Sequence, residues 1–215
     1  ADRTGVGGRV GNHFIESWLE RATRWTAEGV VPVLDRARAA EMAVVHAPSP
    51  PIAETYAQVE RFAKAAPIAE PDWPPAEFRA RAGQYAAFRG PRSQPPGIPE
   101  IPNLGMSPLV EVRDDEYVVA TGDQLHALAT EQGWLHLIYA GFATNWCILN
   151  RDYGMRAMAR RGYNLILLRD ATMGVEFPDT VDSCFATEMA IREVEQQLGF
   201  TAVNGDFFAA ICHAI

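Results

Sequence analysis

Apolar runs alternate with segments of helical spacing along most of this 215-residue chain. The predicted strands are 42–47, 134–141, 163–169 and 200–203. The predicted helices are 30–40, 123–132, 147–161 and 180–198. Because strands that are apolar throughout are typical of sheets covered on both faces, the pattern predicts parallel strands between two layers of helices. We therefore expect an α/β fold, a three-layer α/β/α sandwich with a mostly parallel, Rossmann-like sheet.

Residues 66–110 interrupt this alternation with ten prolines. The same stretch carries large aromatic residues, among them Trp73, Phe78 and Tyr85, which are uncommon in disordered linkers. We expect one domain over 1–215, with this stretch as an ordered excursion that packs over the site or against a second subunit. Trp73 is accordingly a candidate substrate contact, and a homo-oligomer is the expected assembly.

Composition narrows the possible functions. Hydrophobic residues make up 48% of the chain, enough for one substantial core. A net charge of -8 with a single lysine, Lys64, argues against nucleic acid as a partner. No apolar run approaches the roughly 20 residues that span a bilayer, so no membrane partner is expected. Three cysteines without a CxxC pair favour a protein of the reducing cytoplasm.

Cys147 is the candidate nucleophile. It follows the predicted strand 134–141 directly and opens the predicted helix 147–161, where free backbone N–H groups favour a thiolate over a thiol. The alternative is a packing role, because free cysteine is among the most buried residue types. Cys184 and Cys212 lack such a setting, and we expect both in the core.

The segment Gly141-Phe-Ala-Thr-Asn-Trp-Cys147, with Asp152, Gly162-Tyr163 and Arg169-Asp-Ala-Thr172 after it, carries a family resemblance. It resembles the G-x-x-T-x-x-C … G-Y … D-A block of isochorismatase-like cysteine hydrolases, which include nicotinamidase and N-carbamoylsarcosine amidohydrolase. The strong block covers about 32 residues, with weaker agreement from Val30 to the C-terminus.

The resemblance implies that Cys147 attacks the carbonyl of a small amide, ureide or imide and forms a thioester that water hydrolyses. It also implies a cis peptide bond at Phe142–Ala143, with the Ala143 and Cys147 amides forming the oxyanion hole. Asn145 is a candidate substrate contact, or alternatively a helix cap. The five histidines show no close metal-ligand spacing, so neither a metal nor another cofactor is expected.

Two departures from the family pattern concern acid–base chemistry. The family's general base is an aspartate ending an N-terminal strand, and here only Asp2 precedes the first helix. We expect that this strand and its aspartate lie upstream of residue 1, and that 42–47 and 134–141 do not pair directly. The family's lysine is missing from 113–119, where Arg113 could supply a fixed charge or simply be a solvated strand-end residue.

Two classes of function follow. The first is a metal-free cysteine hydrolase with Cys147 as nucleophile. The second is a protein of the same fold with an incomplete triad, acting as a non-catalytic binding or assembly subunit. The substrate's identity is not readable from the sequence.

Overall fold

The computed structural model describes residues 16–62, 72–80, 82–88 and 105–212. The strands are β1 (Val45–His46), β2 (Tyr117–Val118), β3 (His136–Phe142), β4 (Asn164–Met173) and β5 (Phe200–Ala202). The α-helices are α1 (Glu16–Trp25), α2 (Val31–Ala39), α3 (Pro50–Ala53), α4 (Ala76–Arg79), α5 (Gly122–Gln132), α6 (Met155–Arg160), α7 (Phe185–Glu193) and α8 (Asn204–Cys212). Three π-helical turns (Thr26–Val30, Thr144–Ile148, Val194–Leu198) and two 3₁₀ helices (Ala57–Arg61, Gly83–Phe88) complete the elements.

All described strand pairs are parallel. β1 pairs with β2, and β4 lies between β3 and β5 in a second sheet. Helices cover both faces of the larger sheet. Leu165 and Leu167 of β4 pack on one face with α5, α6 and α7, whereas Leu168 and Ala171 pack on the other with α2 and α8. The prediction of a parallel α/β fold with helices on both faces is confirmed.

β1 and β3 belong to two separate sheets. As predicted, these strands do not pair with each other, and in the described ranges no strand lies between them. Ile138, in the middle of β3, is 38% exposed, so β3 is incompletely covered by the residues around it. That a further strand separates the two sheets stays a prediction.

The predicted helix over 147–161 is wrong as a continuous element. Helical geometry stops at 151–154 and resumes at Met155. The break brings Asp152 against the start of α5, where its Oδ2 accepts from the Gly122 amide at 2.7 Å. A Cβ on Gly122 would lie 2.0 Å from the Asp152 carbonyl oxygen, so the close approach of these backbones requires glycine.

Several predicted bounds also change. The strand predicted at 42–47 contains only two paired residues, and the helix predicted from 180 begins at Phe185. β4 continues to Met173, four residues beyond its predicted end. Cys212 is exposed and Cys184 is half-buried, so placing them in the core was wrong.

The described parts of the proline-rich excursion pack locally. The rings of Phe78 and Tyr85 meet edge to face at 5.1 Å. Trp73 is 77% exposed, and its contact with substrate stays a prediction. Contact of Trp73 with a second subunit stays a prediction. As for membranes, the described helices are all too short or too polar to cross one.

Candidate active site

Cys147 lies in the π-helical turn Thr144–Ile148, here called the Cys147 turn, which follows the carboxyl end of β3. Its thiol is free and half-buried. Thr144 is fully buried at the start of the turn, and its hydroxyl lies 2.8 Å from that of Thr172 on β4. Thr172 in turn donates to the Gly141 carbonyl at 2.8 Å. These bonds hold the Cys147 turn against the neighbouring strand.

Ala143 links β3 to the Cys147 turn. The Phe142–Ala143 peptide bond is cis, as the resemblance implies. The Ala143 carbonyl accepts from the amides of Trp146 at 3.0 Å and Ile148 at 3.1 Å. Ala143 is buried in a small apolar cluster with Trp18, Met173 and Val175. The oxyanion-hole role of the Ala143 and Cys147 amides stays a prediction.

Arg151 is a charged residue one helical turn after Cys147. Its amide donates to the Cys147 carbonyl at 3.2 Å, and its guanidinium donates from Nη2 to Ser49 Oγ at 2.9 Å. Burial disfavours the charge of this guanidinium, but the Cys147 side chain and the charges of Tyr153 and Asp152 outweigh burial and raise the pKa of Arg151. A permanent positive charge therefore lies beside the sulfur.

Asn145 binds the chain segment that follows β4. Its Nδ2 donates to the Val175 carbonyl at 3.0 Å, and its Oδ1 accepts from the Val175 amide at 2.8 Å. Next to Val175, the fully buried carboxylate of Glu176 accepts from Ala186 and from both the amide and the hydroxyl of Thr187. This network connects the Cys147 turn to α7. Asn145 lies inside the turn and does not cap it, and its contact with substrate stays a prediction.

The other predicted site residues lie elsewhere. Arg113 is exposed, and its Nε is 3.5 Å from the Glu111 carboxylate in a surface ion pair. The structure thus gives Arg113 the solvated position considered as its alternative, and the cation at Cys147 is Arg151. Asp2 lies outside the described residues. Across the described ranges, no group of three potential metal ligands comes together.

Arg151 was missed by the sequence prediction, although its spacing carries a usable signal. Residues four apart on a helix lie on the same face, so an arginine at position 151 lies one turn from a cysteine at 147. The cation was predicted within 113–119, where the family's lysine would lie, and not at position 151.

The fold and the Cys147 turn define a parallel α/β protein with a half-buried cysteine after the carboxyl end of β3. The sequence profile of the Isochorismatase domain matches residues 12–197. The chain therefore belongs to the isochorismatase family and is an isochorismatase-family hydrolase. A search of curated proteins finds no match.

Solved structures share this fold at low sequence identity. A cysteine hydrolase from Pseudomonas syringae pv. phaseolicola 1448A is similar with a TM-score of 0.57 and 16% identity, over 90% of this chain and 83% of the other. An isochorismatase-family protein from Chromobacterium violaceum gives 0.52 and 17%, over 87% and 81%. One from Burkholderia thailandensis gives 0.50 and 18%, over 95% and 84%. At these identities the likeness concerns the fold alone.

Proposed function

We propose that this protein hydrolyses a C–N bond of a small amide, ureide or imide through a thioester on Cys147. The observation that carries the proposal is the half-buried thiol of Cys147 in the turn after β3, with Arg151 one helical turn away and its guanidinium held by Ser49. A thiolate held next to a fixed cation is the form of cysteine that attacks carbonyl carbon.

The reaction divides into two steps. In the first, the Cys147 sulfur bonds to the carbonyl carbon, the oxygen takes the negative charge, and the amides of Ala143 and Cys147 donate to it. The C–N bond then breaks, and the nitrogen leaves with the proton that the thiol gave up. In the second step, water attacks the thioester and restores the thiol. A general base carries the proton in both steps, and Asp2 is one candidate for it.

Residues 1–215 would form one catalytic domain. The chemistry needs only the thiol, a proton carrier and oxyanion donors, so no metal or other cofactor is required. The predicted homo-oligomer and cytoplasmic location remain part of the proposal. Membership of the family implies that the substrate is a small molecule. That this molecule is an amide, ureide or imide is inferred from the resemblance of the segment around Cys147.

A substrate screen with cysteine variants tests the proposal. Small amides, ureides and imides would be incubated with the protein, and release of amine or ammonia measured. We expect Cys147→Ser to lower the rate about a thousandfold or more, with unchanged circular dichroism. Cys212→Ser, a change at an exposed cysteine, is the matched control and should keep the parent's rate.

Mass spectrometry of the protein quenched during turnover should show an acyl group on the peptide that contains Cys147. A Cys147→Ser variant that hydrolyses the substrate at the parent's rate would contradict the nucleophile assignment. In that case a binding or assembly subunit of the same fold would become the better interpretation.

A further inference from the structure

The backbone around Cys147 stabilises a negative charge on the sulfur less than the start of a long helix would. The Cys147 turn contains five residues, and regular helical geometry is lost at 151–154 before α6 begins. A helix dipole sums over aligned peptide groups, so a short interrupted helix provides fewer of them than the continuous helix predicted over 147–161. A positively charged side chain nearby would add to this smaller backbone contribution.

We propose that Arg151 is a catalytic residue that stabilises the Cys147 thiolate, and that Ser49 is the positioning residue that holds Arg151 in place. This inference rests on the proposed function, in which Cys147 is the nucleophile. No bond is made or broken by Arg151 itself. The thiol proton leaves to solvent or to a general base, and the guanidinium compensates the charge left on sulfur.

The local geometry places Arg151 on the same side of its turn as Cys147. The Arg151 amide donates to the Cys147 carbonyl at 3.2 Å, which is the spacing of one helical turn. From there the guanidinium Nη2 donates to Ser49 Oγ at 2.9 Å, and the nearby Cys147 side chain helps to raise the pKa of Arg151. Because it is half-buried and held by Ser49, this charge is screened less by water than a free surface arginine is.

The loop that contains Ser49, the partner of Arg151, is held in place by Tyr153. Ser49 follows β1, and the neighbouring Pro48 carbonyl accepts from the Tyr153 hydroxyl at 2.6 Å. Tyr153 is 5% exposed, and its burial, with the charges of Cys147 and Asp152, raises its pKa to about 12 despite the Arg151 charge. Tyr153 is therefore neutral at pH 7 and donates this hydrogen bond. The Tyr153 bond thus holds the loop after β1 in the position where Ser49 accepts from Arg151.

Arginine suits charge compensation and not proton transfer. Its guanidinium stays charged at any pH at which the protein works, so it cannot act as the acid or base of the reaction. Arg151 therefore leaves the proton-carrier role open and acts only on the charge of the sulfur. The effect of Arg151 can therefore be measured as the reactivity of the Cys147 thiol, without following turnover of a substrate.

Alkylation of Cys147 by iodoacetamide measures this effect without a substrate. The rate would be followed on the Cys147 peptide at pH 7 and pH 10, for the parent, Arg151→Met, Arg151→Lys and Ser49→Ala. We expect Arg151→Met to react about tenfold more slowly at pH 7, which corresponds to about 1.4 kcal/mol. At pH 10 thiolate forms without help, so the rates should converge. Arg151→Lys should recover part of the rate, and Ser49→Ala should show a smaller slowing with the same convergence.

Arg156→Met is the matched control, because Arg156 lies on α6 and pairs with Glu193 instead of Cys147. It should alkylate at the parent's rate at both pH values. Iodoacetate, which is negatively charged, gives a second measurement: Arg151→Met should lower its rate more than that of iodoacetamide.

Two results would overturn the inference. One is a parent-like rate at pH 7 in folded Arg151→Met. The other is a slowing that persists at pH 10, which indicates altered access to the sulfur. If Arg151→Met does not fold, Ser49→Ala decides by the same criteria, since it keeps the arginine. Failure of the proposed function is separate, because it is seen as undiminished hydrolysis by Cys147→Ser.

Discussion

Replacing Glu116 by Gln should lower the free energy of unfolding at pH 7 by about 3 kcal/mol. The Glu116 carboxylate, whose side chain is 6% exposed, lies between β1 and α2 at the start of β2. Arg38 Nε is 2.6 Å from Oε1, and His46 Nε2 and the Arg113 amide lie 2.6 Å and 3.0 Å from Oε2. Gln keeps the size of the side chain but removes the buried carboxylate from Arg38, whose other ion pair, with Asp35 at 3.7 Å, is with a more exposed carboxylate.

The magnitude follows from the acidity of Glu116. Burial disfavours the carboxylate, but the hydrogen bonds from Arg38, the Arg113 amide and His46 outweigh burial and lower its pKa from 4.5 to about 2. A difference of this size between folded and unfolded chain corresponds to about 3 kcal/mol. Because the folded pKa is the lower one, this stability is present above about pH 4.5 and is lost as pH falls toward 2.

Urea unfolding of the parent and Glu116→Gln at pH 7, 4.5 and 3 measures the effect. The difference between the two proteins should be largest at pH 7 and shrink as the pH falls. Glu131→Gln is the control, because the exposed Glu131–Arg61 pair is worth at most about 1 kcal/mol. A Glu116→Gln difference below about 1 kcal/mol at pH 7, or one that is constant with pH, would refute the reasoning.

Two further predictions concern packing and the Asn145 contact. Gly29→Ala should cost about 1–3 kcal/mol in thermal unfolding, because its Cβ would lie 2.2 Å from the Asp170 carbonyl oxygen. Gly205→Ala, where the Cβ meets nothing within 4 Å, should be neutral or slightly stabilising. Asn145→Ala should cost about 1–3 kcal/mol in urea unfolding, because two bonds to Val175 are lost. Unchanged stability with a raised KM would instead support the predicted substrate contact.

Elements with local start and stop signals were predicted well. The helix predicted over 123–132 is found at Gly122–Gln132. Thr121 caps its start by accepting from the Gln124 amide, and Gly133 ends it with a φ of +70°. Both signals act within a few residues, so they are visible in the sequence without knowledge of the tertiary fold.

Elements that depend on distant contacts were predicted less well. The break after Cys147 accompanies the contact between Asp152 and Gly122, which are thirty residues apart. β2 was not predicted, because two residues are too few to show a strand pattern. Cys147 could be recognised as the candidate nucleophile from its position after a strand. The hydrogen bond between Arg151 and Ser49 joins residues 102 positions apart, so it is visible only in the folded chain.

The contacts of Arg151 and Tyr153 with residues 48 and 49 join the segment after β3 to the loop after β1, and these strands belong to different sheets. The site of the proposed chemistry is therefore also a junction between the two sheets. A substitution at these positions should change both the stability of the junction and the reactivity of Cys147, so neither property can be varied there without the other.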